Sequence, residues 1–310
     1  MKFLNIVYCL DSKYNIQFVT SAYSLLQNIS EPVNLTVLHQ DPSSLKGLTK
    51  LIENHKNCKD FIIIKVNDEN IKFPNLNLSH VSKATYYRLF IPIYLKNEDF
   101  VIYLDSDTVV MQDPALEFRK IINEFKNKYY IAGTLETNRH KTPDIFERLD
   151  LNGDEYFNAG VLIFNIKKIL ENFPETILLE KMHSIQTKIK MWDQDVLNHF
   201  FDKKWFKFDR KFNFLIDLSK NFSEFNSSTY IIHYVGSKKP WTFEGIQKKN
   251  SIYYQKSFMN ALKVDYFHLT TSWRKKSFKQ FIMFVSKFRN YQNENFLTIA
   301  KSFFHIQKTK

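Results

Sequence analysis

Five apolar runs of strand length mark the first 135 residues: NIVYCL (5–10), NLTVLH (34–39), FIIIKV (61–66), FVIYLD (100–105) and YYIAGTL (129–135). Each is short, and most are rich in β-branched or aromatic residues, so each reads as a buried strand. Between them, 20–28, 45–55, 80–91 and 115–126 space their apolar residues as helices do. This alternation predicts an α/β domain built on a mostly parallel sheet. Beyond residue 150 the pattern loosens. GVLIFNI (160–166) is a further strand, 174–189 a helix, and DQDVLNHFF (193–201) a short helix with acids at its N-terminus, where they suit the dipole. TYIIHYVG (229–236) is a last strand, running into SKKPW. No repeat or low-complexity linker interrupts the chain.

Ligands of open α/β sheets gather at the carboxyl ends of the strands. Asp11 closes the first run, and Asp105 and Asp107 lie at the end of the fourth, in VIYLDSDTVV. The three carboxylates are placed to line one crevice. Burying a carboxylate is costly unless it is paired or binds a metal. In an extended segment residues i and i+2 share a face, so Asp-x-Asp presents two hard oxygen ligands to Mn²⁺ or Mg²⁺. For an isolated pair a solvated loop start is the commoner reading, but the apolar VIYL places this one at a core strand's exit.

Composition narrows the picture little. The chain has 310 residues, 44% apolar and 25% charged, which is globular and suits one large domain or a domain plus an appendage. Two cysteines, Cys9 and Cys58, make no disulfide framework, and a reducing compartment is the default expectation. MKFLNIVYCLD lacks a small-residue cleavage site and reads as a first strand rather than a signal peptide. No run approaches the length of a membrane span. Charge is more informative. Of the net +12, residues 251–310 carry +9, with 11 Lys and Arg against Asp265 and Glu294. With only six glycines there is neither G-x-G-x-x-G nor a P-loop, so a phosphate would be held by a metal and by side chains.

Two enzyme classes use such a carboxylate pair. In haloacid dehalogenase-type phosphatases, D-x-D-x-[TV] supplies a nucleophile and an acid/base; DSDTV fits it, and GDEYFN (153–158) imitates part of a later acidic motif. In metal-dependent nucleotide-sugar transferases the pair holds the ion that grips the leaving diphosphate. Three stretches bear on the choice: YFNAGVLIFNIKK (156–168), DQDVLN (193–198) and IIHYVGSKKPW (231–241). The last brings a histidine, a suitable third ligand, and then lysines suited to phosphate. Each stretch alone also has an ordinary structural reading, as a strand-entry turn, a helix start or a surface turn.

In this order, together with IVYCLDSKY, KATYYRLFIP and KFNF, they resemble the retaining glycosyltransferases of family eight. That family holds the lipopolysaccharide core galactosyl- and glucosyltransferases and glycogenin. The resemblance spans residues 5–245 and implies a Rossmann-like, GT-A type fold with a mixed, mostly parallel sheet. Residues 1–245 would form the catalytic domain and 246–310 a basic, aromatic-rich helical appendage. The implied donor is UDP-glucose or UDP-galactose, the acceptor a lipid-linked oligosaccharide of the lipopolysaccharide or lipooligosaccharide core, and the configuration is retained. Asp105, Asp107 and His233 would ligate Mn²⁺ or Mg²⁺. Cys9, Asp11, Lys13 and Tyr14 would hold uridine. Arg88, Ser106 and the segment Gly236, Ser237, Lys238 and Lys239 would hold the diphosphate and donor sugar. Glu136, Asn158, Ala159, Asp193 and Gln194 would surround the hexose, with Asp193, Gln194 and Lys239 in catalytic roles. Lys13 departs from the family's usual small polar residue, which leaves the ribose contacts open, and Glu136 from its usual Asp, which leaves glucose versus galactose open.

The basic tail spaces Phe278, Phe281, Val285 and Phe288 as one helix face, with Lys279, Lys287 and Arg289 beside it and Trp273, Arg274, Lys275 and Lys276 before it. Such a helix either lies on an anionic membrane or packs on the catalytic domain. The resemblance favours the cytoplasmic face of the inner membrane. No nucleic-acid motif accompanies the charge. A non-catalytic carbohydrate-binding relative is the remaining alternative.

Overall fold

The computed structural model describes residues 2–74, 76, 82–137, 143–220, 227–242, 244–246 and 248–263. It divides into two compact units, the first comprising Met1–Phe214 and Ser227–His233, the second starting at Leu215 and resuming at Tyr234.

The strands in chain order are β1 (Leu4–Leu10), β2 (Val33–His39), β3 (Cys58–Lys65), β4 (Phe100–Leu104), β5 (Thr108–Val110), β6 (Ile131–Leu135), β7 (Phe157–Asn165), β8 (Trp205–Lys207), β9 (Phe214–Ile216) and β10 (Ile231–Tyr234). Among the described residues of the first unit, seven form one sheet in the order β3-β2-β1-β4-β7-β6-β8. All neighbours run parallel except at β7, which is antiparallel to both β4 and β6. The sheet is therefore mixed and mostly parallel, as expected. Strands covered on both faces read as unbroken apolar runs. Every residue of β7 is buried, whereas the edge strand β3 leaves Ile62 53% exposed.

Helix Asn15–Asn28 packs its apolar positions inward and joins the site by a polar chain through the core. Thr108 Oγ1 donates to the Asp105 carbonyl at 2.8 Å. Ser21 Oγ lies 2.8 Å from Thr108 Oγ1 and Tyr8 Oη 3.1 Å from Ser21 Oγ, so the Ser21 proton points to Thr108 and the Tyr8 proton to Ser21. Helix Ala115–Phe125 buries Ala115, Phe118, Ile121 and Phe125, one face at helical spacing.

Several expected helices are shorter than their spacing suggests. Residues 45–55 yield a 3₁₀ turn, Pro42–Leu45, and one helical turn, Lys50–Glu53. Gly47, at φ +83°, breaks the run between them. The 80–91 stretch becomes a 3₁₀ helix, Lys83–Phe90, continued by the α-turn Ile91–Tyr94 with Pro92 in its first turn. The helix expected at 174–189 is Ile177–Ser184, and another, Ile166–Asn172, directly follows β7.

In the second unit the Val235 amide donates to the Ile216 carbonyl at 3.0 Å. Helix Ile252–Leu262 buries Tyr254, Phe258 and Ala261 and stops at Lys263, in the left-handed region at φ 56°. Trp241 packs on Tyr254 with ring centres 4.8 Å apart. The amphipathic stretch 273–289 lies outside the described residues. Among the described residues, no helix is long and apolar enough to cross a membrane.

Candidate active site

β4 ends at Leu104, and Asp105–Thr108 form a tight turn into β5, closed by the Thr108 amide donating to the Asp105 carbonyl at 3.2 Å. The two carboxylates thus converge through a turn, not through the alternation of an extended strand. β10 supplies the third group. It runs antiparallel to β5 with His233 opposite Thr108, one residue past Asp107. His233 Nε2 lies 3.2 Å from Asp107 Oδ1 and 3.6 Å from Asp105 Oδ2. One ligand atom from each residue falls within 4.8 Å of the others. Two hard oxygens and one imidazole nitrogen in that span fit Mn²⁺ or Mg²⁺.

Asp105 uses its two oxygens differently. Oδ2 faces His233, while Oδ1 accepts from Arg88 Nη2 at 2.9 Å and from the Tyr103 hydroxyl. The His233 ring lies against Gly160 in β7. A Cβ on Gly160 would fall 2.1 Å from His233 Cε1 and 2.4 Å from Nδ1, so only glycine leaves room for the imidazole. Asn158 and Ala159, expected just before the strand at 160–166, instead lie within β7, which already begins at Phe157.

Arg88 is the hub beside this centre. It is buried, lies over the Tyr103 ring at 4.4 Å, donates to Asp105 and to the carbonyls of Thr85 and Ala159, and forms an ion pair with Asp193 Oδ2 at 2.8 Å. Burial works against its charge, but Asp105 and Asp193 hold its pKa above the ordinary arginine value. Burial pushes the Asp193 carboxyl up to about 6, against the opposing pull of Arg88 and the Thr85 hydroxyl. The three polar residues of DQD part company. Asp193 faces Arg88, and Gln194 Oε1 accepts from the Ala159 amide at 2.9 Å. Asp195 turns inward to Tyr156, Arg148 and the amides of Lys190 and Met191. Asn158 Nδ2 donates to Glu136 Oε2 at 2.8 Å, which joins those two expected hexose residues.

At the end of β1, Cys9 is buried, and burial pushes its thiol well above the ordinary range. Asp11 is buried too, and its Oδ1 accepts from the Lys13 amide at 2.9 Å, capping the turn Ser12–Tyr14. Burial raises the Tyr14 phenol, and the charges of Asp107, Asp11 and Asp105 add to the effect. Ser106 is buried between the two aspartates. Gly236, Ser237, Lys238 and Lys239 belong to the second unit. There Gly236 takes φ +81°, and Lys239 Nζ donates to the Tyr234 carbonyl. Against burial, the Ser219 hydrogen bonds, and after them the charges of Lys220 and Lys238, hold the Asp217 carboxyl below its usual range.

Residues 5–245 match the model of glycosyl transferase family 8. The chain belongs to that family. Among curated proteins, it is 26% identical over 245 residues to a putative glycosyltransferase of Haemophilus influenzae, covering 77% of this chain and 73% of the relative. It is 28% identical over 257 residues to the lipopolysaccharide 1,2-glucosyltransferase of Escherichia coli, covering 76% and 73%. Among solved structures, the galactosyltransferase LgtC in complex with donor and acceptor sugar analogs superposes with TM-score 0.71 at 20% identity, covering 87% of this chain and 99% of LgtC. The α/β fold with its mixed sheet is thus the fold of family 8 transferases.

Within this family 8 glycosyltransferase, the residues whose chemistry is legible from type alone are the carboxylates and the histidine. Tyr103, Gly160 and Asn213 were not assigned roles by sequence. Asn213 comes from KFNF and sits 2.9 Å from His233 Nδ1. The string marked its stretch, but nothing in the string shows which side chain it meets.

Proposed function

We propose that the protein is a metal-dependent retaining hexosyltransferase that moves glucose or galactose from a UDP-sugar to a lipopolysaccharide or lipooligosaccharide core acceptor. The observation that carries this reading is the convergence of Asp105, Asp107 and His233 on one point at the exit of β4, in a family 8 chain. Mn²⁺ or Mg²⁺ held there supplies Lewis-acid stabilisation of the departing diphosphate. The E. coli relative, a lipopolysaccharide 1,2-glucosyltransferase, supports the acceptor class.

In this reading Cys9, Asp11, Lys13 and Tyr14 cradle uridine. Arg88, Ser106, Gly236, Ser237 and Lys238 attend the diphosphate and sugar, and Lys239 balances charge growing on the leaving oxygen. Glu136, Asn158, Ala159, Asp193 and Gln194 surround the hexose. Retention by double displacement needs a protein nucleophile. Gln194 is a poor one, because it is an amide and its oxygen already accepts the Ala159 amide proton. A same-face substitution suits these residues better. The bond from the anomeric carbon to the phosphate oxygen breaks, the bond to the acceptor oxygen forms on the same face, and the phosphate oxygen takes the acceptor's proton. Gln194→Ala then lowers turnover but leaves it measurable. Loss of essentially all turnover in the folded variant contradicts the same-face route.

Residues 1–245 are the catalytic domain of this proposal and 246–310 a basic appendage that meets anionic lipid on the cytoplasmic face of the inner membrane. The +9 charge of residues 251–310 supports that contact. The test of the reaction is the anomeric configuration of the product formed from a UDP-hexose and a lipooligosaccharide core, read by NMR. An α-linked product from an α-linked donor is expected, and a β-linked product overturns retention.

A further inference from the structure

The orientation of every polar group behind His233 can be deduced from one backbone amide. The Gly160 N–H can only donate, and it points to the Asn158 side chain at 2.9 Å. The Asn158 atom it meets is therefore the oxygen, and the Asn158 amide nitrogen faces the Glu136 carboxylate at 2.8 Å, where a donor is required. That same Asn158 oxygen lies 2.8 Å from the side chain of Asn213. An acceptor on one side fixes a donor on the other, so the Asn213 amide nitrogen faces Asn158; it also reaches Thr134 Oγ1 at 3.0 Å. The Asn213 oxygen is left to face His233 Nδ1 at 2.9 Å. A carbonyl oxygen accepts only, so Nδ1 carries the proton. In the neutral ring the Nε2 lone pair is then the one directed to Asp105 and Asp107, at 3.6 and 3.2 Å.

We infer that Asn213 is a positioning residue that fixes the Nδ1–H tautomer and the ring angle of His233, and so presents Nε2 to a divalent cation. The inference rests on the transferase reading for its metal but not for its hydrogen-bond logic. A ligating histidine usually donates its other ring N–H to an oxygen acceptor, and losing that acceptor weakens metal binding. Here the acceptor is itself locked, because Asn213 cannot flip without setting oxygen against oxygen at Asn158. Asn213, Asn158, Thr134 and Glu136 are all buried, so no water competes freely for the chain. The chain also runs from Glu136 and Asn158, assigned to the hexose, to the metal ligand. Side chains assigned to the donor sugar and a side chain assigned to the cation therefore share one hydrogen-bonded support.

The experiment has two parts. Mn²⁺ binding to the full chain, alone and with UDP, is titrated by electron paramagnetic resonance for the wild type and Asn213→Ala. Asn213→Ala is expected to bind about 10–100-fold more weakly. Equal affinity of Asn213→Ala and wild type overturns the inference. In parallel, ¹⁵N-histidine NMR of the wild type reads which His233 nitrogen bears the proton, metal-free and with Mg²⁺. A slowly exchanging Nδ1–H in both states is expected, and a bare Nδ1 overturns the inference whether or not a variant folds. A wild type that binds no Mn²⁺ and releases no UDP sinks the transferase reading and leaves the Nδ1 measurement to decide this one.

Discussion

Gly160 and Asp193 give the sharpest single-residue tests. In Gly160→Ala the new methyl would overlap the imidazole, at 2.1 Å from Cε1, and β10 holds the His233 backbone in register with β5. The ring must swing away from the carboxylates. Mn²⁺ affinity is expected to fall by about tenfold or more, with the folded far-ultraviolet spectrum kept; unchanged affinity would show the ring free to adapt. Asp193 sets an acid limit. Its carboxyl, raised by burial to about 6, ionises above that pH and pairs with Arg88; below it the proton neutralises Asp193 and Arg88 loses one of its two carboxylate partners. The rate is therefore expected to fall as pH drops through about 6, and Asp193→Asn is expected to lack that limb. A profile flat from neutrality to pH 5, a full unit below that value, contradicts the assignment. Asp105, Asp107 and His233 were legible in the sequence because their side chains carry the chemistry that singles them out. Gly160 and Asn213 were not. What matters about them is a neighbour in another strand or turn, which no local string reveals.

The DQD helix, Trp192–Phe200, shows how one element serves both site and fold. Its first residue, Trp192, takes φ 50°, a left-handed conformation uncommon for a side chain of that size. Asp195 holds the turn from within, accepting from the amides of Lys190 at 2.7 Å and Met191 at 2.8 Å, from Tyr156 Oη at 2.7 Å and from Arg148 Nη1 at 2.8 Å. It is fully buried, so Asp195→Ala strands an arginine and a tyrosine hydroxyl and is expected to cost about 3–5 kcal/mol in denaturant unfolding. A loss below about 1 kcal/mol, the worth of a surface ion pair, would contradict that placement. The longer strands were easy to read because double-sided burial makes them continuous apolar runs. The short strands β5, β8 and β9 escaped, since three residues carry no periodicity. Residues 80–91 kept helical spacing but folded largely as 3₁₀, a difference that the spacing of apolar residues does not resolve.

Across the first unit, the sheet order brings β1 and β4 side by side, so that the Asp11 strip and the Asp105 turn leave the sheet together, while the reversed β7 delivers Asn158 and Gly160 to the same end. This is the crevice that strand ends of an open sheet make available. The basic tail adds a test of its own. Replacing Arg274, Lys275, Lys276 and Lys279 by Gln in the full chain is expected to reduce co-sedimentation with anionic vesicles, and unchanged sedimentation would remove the membrane contact. Whether Asp105, Asp107 and His233 form a metal centre for UDP-hexose transfer is read from UDP release by the full chain with Mn²⁺ and a panel of UDP-sugars. Release is expected with UDP-glucose or UDP-galactose, is abolished by chelation, and is absent from folded Asp107→Asn and His233→Ala. Release from none of the panel, or release indifferent to chelation, would contradict such a centre.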